Sequence, residues 1–328
     1  MSHGLLLPQR GDDPVPLAVR AEELGYESAW LGELWGTSSV VTLTRIAERT
    51  NEIDVGSAIL NVFSRTPAVL AMTAASIDDA SDGRFRLGVG TSTPKAVEDL
   101  HGMTFDRPVR RAHEAIELTN ALLGEGRVQY DGEVFHAADF PGLGTDIPVY
   151  HAALGRANRR VVARLCDGWI PHNVPFPELP SAFDYIVDHL PEGRSPDDIA
   201  VAPYVPSAVS EDPAEARDAI RGHIAYYVGS GKGYERAVAS RFPGEAEAVA
   251  SAWQAGDRGE AVSLVTDEMV RALGIAGTPA EAREQFRSLL AMAVIDEPLV
   301  TIPNNATDLA ETTIEALSPQ ALAEEPAE

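Results

Sequence analysis

Glu33 stands directly after the apolar run Trp30-Leu31-Gly32. At the end of a buried strand a carboxylate adds little to packing, so this residue type points to proton handling or to a hydrogen bond with a ligand. Further along, Gly88-Val89-Gly90 leads into the hydroxyl run Thr91-Ser92-Thr93. Glycine removes side-chain bulk and the hydroxyls supply donors, a combination that suits the close approach of a flat ring. It is not the dinucleotide fingerprint, which needs a third glycine where Thr93 stands. Gly155-Arg156-Ala157-Asn158-Arg159-Arg160 opens a predicted helix, so free amides, the helix dipole and guanidinium groups converge where an anion would sit. His151 and His172 fall at the ends of predicted neighbouring strands, and Gln9 follows the first strand. Their side chains can exchange protons or hydrogen bonds, although a packed histidine is the commoner outcome. The histidines show no metal-ligand spacing, and no Ser-His-Asp or Cys-His arrangement can be argued, so neither a metal nor a nucleophile is predicted. Cys166 is the sole cysteine; it excludes an internal disulfide and reads as core packing.

Such residues need strands that deliver them to one set of loops, and the chain has that rhythm. Strands are predicted at 4–7, 28–33, 53–61, 85–90, 148–152, 168–171, 199–207 and 298–302. Each is followed by a helical pattern, at 15–24, 40–49, 68–80, 109–123, 156–165, 178–190, 213–227 and 306–317. Eight such units predict an α/β chain folded as a (β/α)8 TIM barrel, whose functional groups sit after the carboxyl ends of the strands. Two interruptions stand out. Residues 127–140 change to a period of two around Tyr130-Asp131-Gly132-Glu133 and read as an inserted hairpin. Residues 229–275 read as a helical insertion without a strand, expected to cover the mouth as a lid. The barrel is expected over 1–318 as one domain, and 319–328 as an acidic, disordered tail.

Composition narrows the function. Asp and Glu outnumber Lys and Arg by 50 to 26 in 328 residues, a net charge of -24. That field repels nucleic acid and anionic membranes, and the acid-rich surface fits hydration in concentrated salt, as in a halophilic host. No basic segment leads into an apolar run, and no window approaches about 18 uninterrupted apolar residues, so a soluble cytoplasmic protein with a small-molecule substrate is expected.

Four short motifs occur in a specific order: Arg65-Thr66-Pro67-Ala68-Val69-Leu70-Ala71, Asp82-Gly83-Arg84 leading to Leu87-Gly88-Val89-Gly90, Cys166-Asp167-Gly168-Trp169, and Gly277-Thr278-Pro279. On these the chain resembles the bacterial luciferase-like superfamily across nearly its whole length. The carboxyl third, from Ala225-Tyr226-Tyr227-Val228-Gly229-Ser230 through Ala261 to Val270 and on to Ile275-Ala276-Gly277, is most similar to the methylenetetrahydromethanopterin reductase branch. That branch uses the deazaflavin coenzyme F420. The resemblance implies hydride transfer between the deazaflavin and a one-carbon pterin such as methylene-tetrahydrofolate or methylene-tetrahydromethanopterin. It places ring or ribityl contacts at Glu33, Gly90, Thr91, Ser92 and Thr93, and phosphate contacts at Leu154, Gly155, Ala157 and Asn158; His172 is a further candidate cofactor contact. A bulge at Leu60-Asn61-Val62, which in relatives contains a non-prolyl cis peptide, would back the ring. Glu33 is the expected acid, with His172 and Gln9 next, and a homodimer or higher homo-oligomer is the expected assembly. Two alternatives remain open: an FMN-dependent luciferase-like monooxygenase, and a non-catalytic paralogue that keeps the cofactor pocket. This chain departs from the pattern at Gly4-Leu5-Leu6-Leu7-Pro8, where the reductase has a glutamate. It also has Leu34 where relatives that oxidise alcohols or sugar phosphates carry His, and Thr93 where the sugar-phosphate oxidisers carry Glu, which disfavours those substrates.

Overall fold

Thirteen short strands are defined by the apolar runs and their Gly and Pro punctuation: β1 Gly4–Leu6, β2 Ser28–Leu31, β3 Asp54–Ser57, β4 Leu60–Asn61, β5 Phe85–Gly90, β6 Arg127–Asp131, β7 His136–Pro141, β8 Val149–His151, β9 Gly168–Trp169, β10 Ala200–Val201, β11 Tyr204–Val209, β12 Ile275–Gly277 and β13 Leu299–Thr301. The structure is a computed structural model that describes residues 2–9, 11 and 13–324. The chain divides into two compact units, one holding Trp30–Ile170 and Tyr185–Ala200, the other the residues before Trp30, Pro171–Asp184 and those from Val201 onward.

In the unit that holds Trp30–Ile170, β3, β5, β8 and β9 pair side by side and parallel, and β4 pairs with β5. The sheet interior is set by Trp30, which is fully buried and meets Tyr150 edge to face at 5.2 Å. Two glycines make room for these rings, since a Cβ at Gly56 would overlap Trp30 and one at Gly168 would overlap Tyr150. The motif Asp82-Gly83-Arg84 serves the fold. Asp82 and Gly83 take left-handed φ of 55° and 79°, and the turn lets Arg84 donate to the carbonyls of Ala47 (3.2 Å), Thr50 (3.0 Å) and Ile53. A guanidinium there caps the carboxyl end of the helix Ser39–Ala47. The hairpin β6–β7 forms as predicted, antiparallel, with a four-residue connection between Asp131 and His136. It is tied down by Glu114 of the helix Pro108–Leu123, which accepts from the backbone N–H of Glu133 (3.0 Å), Val134 (2.8 Å) and Phe135 (3.1 Å).

In the other unit β1, β13, β11 and β12 run parallel in that order. Gly4 is required because a Cβ would overlap Leu299, and the buried Glu297 accepts from the Ser28 hydroxyl beside it. The helical insertion is more anchored than a lid. Its helices Lys232–Val238, Pro243–Gln254, Arg258–Ser263 and Asp267–Leu273 share a core with the helix Pro213–Ser230, in which Val238, Phe242, Val249 and Met269 pack with Ile220, Ile224 and Val228.

Four local expectations differ from the structure. The strand expected over 53–61 is split into β3 and β4. The one expected over 199–207 breaks at Ala202-Pro203, where proline has no N–H to donate, and resumes as β11. The helical run 229–274 is strandless as expected, but a strand that was not expected, β12, follows it directly. Pro319–Glu324 is a helix where a disordered tail was expected, because Ser318 accepts from Ala321 N–H at 3.1 Å and Pro319 sits at the first helical position; residues 325–328 lie outside the described residues. Among the described residues no helix is long and apolar enough to cross a membrane.

Burial alone would raise the pKa of Glu114, but the three amides and Arg110 together outweigh it and hold the carboxyl below its ordinary value. Glu114→Gln sets an NH2 group against those donors and should destabilise the protein by about 2–3 kcal/mol. Thermal unfolding at neutral pH, with hydrogen exchange at Val134 and Phe135, checks this; unchanged protection there would sink the anchor role.

Candidate active site

In the unit that holds Trp30–Ile170, the candidate site is framed by the carboxyl ends of β3, β4 and β5. Ser57 Oγ donates to Gly88 O and accepts from Gly88 N–H, both at 2.9 Å, and a Cβ on Gly88 would overlap the Ser57 carbonyl. The backbones therefore touch where β3 ends. The chain then passes the cis peptide Ala58–Ile59. It lies just before Leu60-Asn61-Val62, two residues ahead of the middle of the expected bulge. Leu60 and Val62 are fully buried and Asn61 nearly so, with Asn61 Oδ1 accepting from Phe63 N–H at 2.9 Å, so this segment offers backbone and not side chain to a ligand. Gly90 lies against Ile59, whose Cγ1 would be 3.0 Å from an added Cβ. Beyond it Ser92 has a left-handed φ of 57°, and Thr93 Oγ1 accepts from Ala96 N–H at 3.3 Å to start the π-helical turn Lys95–Leu100.

Glu33 N–H donates to Ile59 O at 3.3 Å, so the acid is held over the same strand ends. Its carboxylate is engaged by Arg65 through both oxygens, Nη2 to Oε1 at 2.8 Å and Nη1 to Oε2, with both side chains mostly buried. A fork-on-fork pair uses two of the carboxylate's acceptor positions and leaves the others open. As it stands Glu33 is an aligned hydrogen-bond acceptor. It becomes a proton carrier only by taking one up.

The helix Arg156–Leu165 follows β8, and its N-terminus has no side-chain cap, which leaves the first amides available. Leu154 is half-buried, Gly155 and Ala157 are exposed, and nothing lies within 4 Å of a Cβ on Gly155. Two buried polar atoms here have no hydrogen-bond partner, Asn158 Oδ1 and His151 Nε2. His151 Nδ1 must donate to Val89 O, at 3.0 Å, because a carbonyl only accepts; Nε2 therefore carries a lone pair, and burial keeps the ring neutral by pushing its pKa down. The three arginines expected to converge are arranged over aromatic rings. Arg159 lies 5.4 Å from the Trp169 ring centroid, and Arg156 and Arg160 lie over Tyr185, whose hydroxyl accepts from Arg160 Nε at 2.8 Å.

The other unit carries a different cluster. His172, just past β9, is buried among Tyr227, Tyr204 and Tyr234 at centroid distances of 4.3, 4.5 and 5.2 Å. Its Nε2 lies 3.4 Å from Nε2 of His223. Burial, and secondarily His223, holds His172 well below the ordinary histidine value, and burial lowers His223 as well. Both rings are held neutral, and a hydrogen bond between them needs Nε2–H on one ring and the lone pair on the other. Burial keeps the hydroxyls of Tyr204 and Tyr227 protonated and pushes Tyr234 up to about 12.

Of the residues expected from sequence, Glu33, Asn61, Gly90, Thr91, Ser92, Thr93, Leu154, Gly155, Ala157 and Asn158 fall in one unit. Gln9 and His172 fall in the other. His172, expected as a second-choice acid and a cofactor contact, is a buried neutral ring at the centre of an aromatic cluster. Sequence reasoning missed Arg65, His223, Tyr204, Tyr227 and Tyr234 as partners. The signal for Arg65 was its place in Arg65-Thr66-Pro67, just before the helix Pro67–Ala80; for Tyr227 it was its spacing of four from His223 on one helix. Among the described residues no group of three or more His, Cys, Asp or Glu side chains is placed to hold a metal.

The profile of the family described as luciferase-like monooxygenase matches residues 3–297. The 5,10-methylenetetrahydromethanopterin reductase of Archaeoglobus fulgidus is 30% identical over 277 residues, covering 82% of this chain and 83% of that protein. The enzyme of the same name from Methanolobus tindarius is 27% identical over 286 residues, 84% of this chain and 86% of that one. Among solved structures, the coenzyme F420-dependent tetrahydromethanopterin reductase of Methanopyrus kandleri superposes with a TM-score of 0.80 at 24% identity, over 98% of this chain and 99% of that chain. The likeness establishes the fold as the (β/α)8 TIM barrel that the strand–helix rhythm predicts.

The buried histidines carry a pH dependence whose sign follows from their lowered values. Unfolded, each binds a proton below about pH 6.5, while the folded protein refuses it. Their contribution to stability is therefore complete above about pH 6.5 and declines below it, by up to about 1.4 kcal/mol per pH unit for each histidine. His223→Gln should lose one such increment from the slope of unfolding free energy between pH 6.5 and 4.5. Identical slopes for the two proteins would mean that His223 is charged in the fold.

Proposed function

The chain belongs to the luciferase-like family, and from that membership we propose that it is an F420-dependent oxidoreductase that moves a hydride between the deazaflavin and a one-carbon pterin, methylene-tetrahydrofolate or methylene-tetrahydromethanopterin. The observation that carries the reading is the 30% identity to a methylenetetrahydromethanopterin reductase along 82% of the chain. The residues present fit the cofactor. Gly90 brings bare backbone, packed against Ile59, up to Thr91, Ser92 and Thr93, and the uncapped amides at the start of the helix Arg156–Leu165 suit a phosphate-bearing tail. When bound, F420 supplies or accepts electrons as a hydride pair, and the protein orients it.

The chain's own task is the proton. Breaking the methylene bridge needs a proton on the leaving nitrogen, and forming it releases one. Glu33, aligned by Arg65, takes that proton in one direction and returns it in the other, directly or through a water on its open acceptor positions. His172 is the second candidate, limited to exchange along the His172–His223 contact, and Gln9, whose carboxamide does not titrate, would serve only by hydrogen-bonding the group that carries the proton. The exposed apolar side chains Val41, Val69 and Met72 on two successive helices support a homodimer or higher homo-oligomer, and the acidic surface supports a salt-rich cytoplasm. The family profile is itself described as a monooxygenase, which favours FMN as the second reading.

A paired fluorescence titration in high salt with oxidised F420 and with FMN separates the two. Tight F420 binding with weak FMN binding is expected, and the reverse preference would move the protein to the monooxygenases. Glu33→Gln should leave F420 affinity intact and lower turnover of methylene-tetrahydrofolate or methylene-tetrahydromethanopterin by about two to four decades. Unchanged turnover would remove Glu33 from proton transfer.

A further inference from the structure

Asn173 follows His172 beyond the carboxyl end of β9. It is 3% exposed, and neither its amide nitrogen nor its amide oxygen has a hydrogen-bond partner. A buried amide with both ends unpaired is costly, because it has given up water and gained nothing. The backbone does not explain the residue. Its φ of 55° lies in the left-handed region, which asparagine enters more readily than most residues but glycine enters most easily of all. Glycine would satisfy this turn without burying two polar atoms, so the carboxamide has a use that the fold does not require.

The chemistry of the group defines what it can read. A carboxamide presents one N–H donor beside one carbonyl acceptor, and its complement is a lactam edge, –NH–C(=O)–, which returns one acceptor and one donor. The neighbouring residue sits among the rings of Tyr204, Tyr227 and Tyr234, flat surfaces suited to a flat heterocycle. We propose that Asn173 reads the lactam edge of a bound pyrimidinone ring and so fixes its orientation. The inference rests on the oxidoreductase reading above, which supplies two sources of that edge, the deazaflavin and the pterin acceptor.

Asn173→Gly in the full chain removes the amide while suiting the backbone, and Asn173→Asp keeps the acceptor and the turn preference but loses the donor. Each is titrated with oxidised F420 and separately with 5-methyl-tetrahydrofolate, and thermal unfolding is followed in parallel. In Asn173→Gly one affinity should fall by about ten- to a hundredfold, the worth of two hydrogen bonds, and the other should stay within about twofold. The affinity that falls identifies which ring is read, and Asn173→Asp should fall in the same titration. The unfolding midpoint should hold or rise. The inference is overturned if both affinities are unchanged, if both fall alike, or if only stability is lost. Wild-type protein that binds neither probe removes the oxidoreductase reading together with this one, whereas a wild type and an Asn173→Gly variant that bind equally well overturn this inference alone.

Discussion

The contact on which the candidate site depends is the one between Ser57 and Gly88. Neighbouring parallel strands normally keep their side chains apart from each other's backbone, and here a hydroxyl bridges both the N–H and the carbonyl of the facing residue. Only glycine tolerates that approach, since any Cβ would meet the Ser57 carbonyl. With β3 and β5 locked together, the chain leaving β3 must run close over β5. Leu60 and Asn61 then pair with Val89 and Gly90 as the short strand β4. Glu33 N–H binds Ile59 O in that same crossing. The acid, the buried Leu60-Asn61-Val62 segment and the packing of Ile59 on Gly90 thus follow from one side-chain bridge and one absent Cβ.

Charge is organised locally against its own background. A chain of net charge -24 repels anions on average, yet the helix start after β8 gathers Arg156, Arg159 and Arg160 around uncapped amides. These guanidiniums rest on the rings of Tyr185 and Trp169. Cation–π contact holds an arginine in place without cancelling its charge, as a carboxylate would, so the positive field at the helix start is preserved. Arg65 is the opposite case. Both of its terminal nitrogens are spent on Glu33, which fixes the acid and removes that cation from any role in holding an anion.

How much of this was legible in the sequence depended on the range of the interaction. The strand–helix alternation, the hairpin around Asp131-Gly132 and the uncapped helix after Gly155 are written in neighbouring residues, so periodicity and turn chemistry reach them. The helix Pro319–Glu324 was equally local, but the acidic composition of the tail masked the Ser318-Pro319 start signal. The interruption at Ala202-Pro203 was written locally in Pro203 and overlooked within an apolar run, whereas the strand β12 was not legible, because pairing with β11 decides it and the local pattern does not. Nor was the partner of Glu33, which lies 32 residues away, or the tyrosine cluster, which is assembled from Tyr204, the helix bearing Tyr227 and the short helix bearing Tyr234. Glycines identified the crowded positions only as candidates; which backbone each one admits is a fact of three dimensions.

The two polar groupings divide the chemistry by charge. Glu33 and Arg65 are an ion pair at the strand ends, able to orient a dipole or carry a proton. His172, His223 and the tyrosines offer the reverse, flat rings with neutral donors and acceptors. Burial forbids an imidazolium there, and it keeps the phenols protonated by the same mechanism, since in both cases the charged form is the one that loses its water. A surface of this kind gives little to a phosphate or a carboxylate and much to an uncharged heterocycle. That agrees with a chain that places Leu34 and Thr93 where sugar-phosphate-oxidising relatives are expected to carry His and Glu. For a heterocycle bound there as proposed, selectivity at the tyrosine cluster would come from withholding charge, and the orienting hydrogen bonds from neutral groups such as the unpaired amide of Asn173.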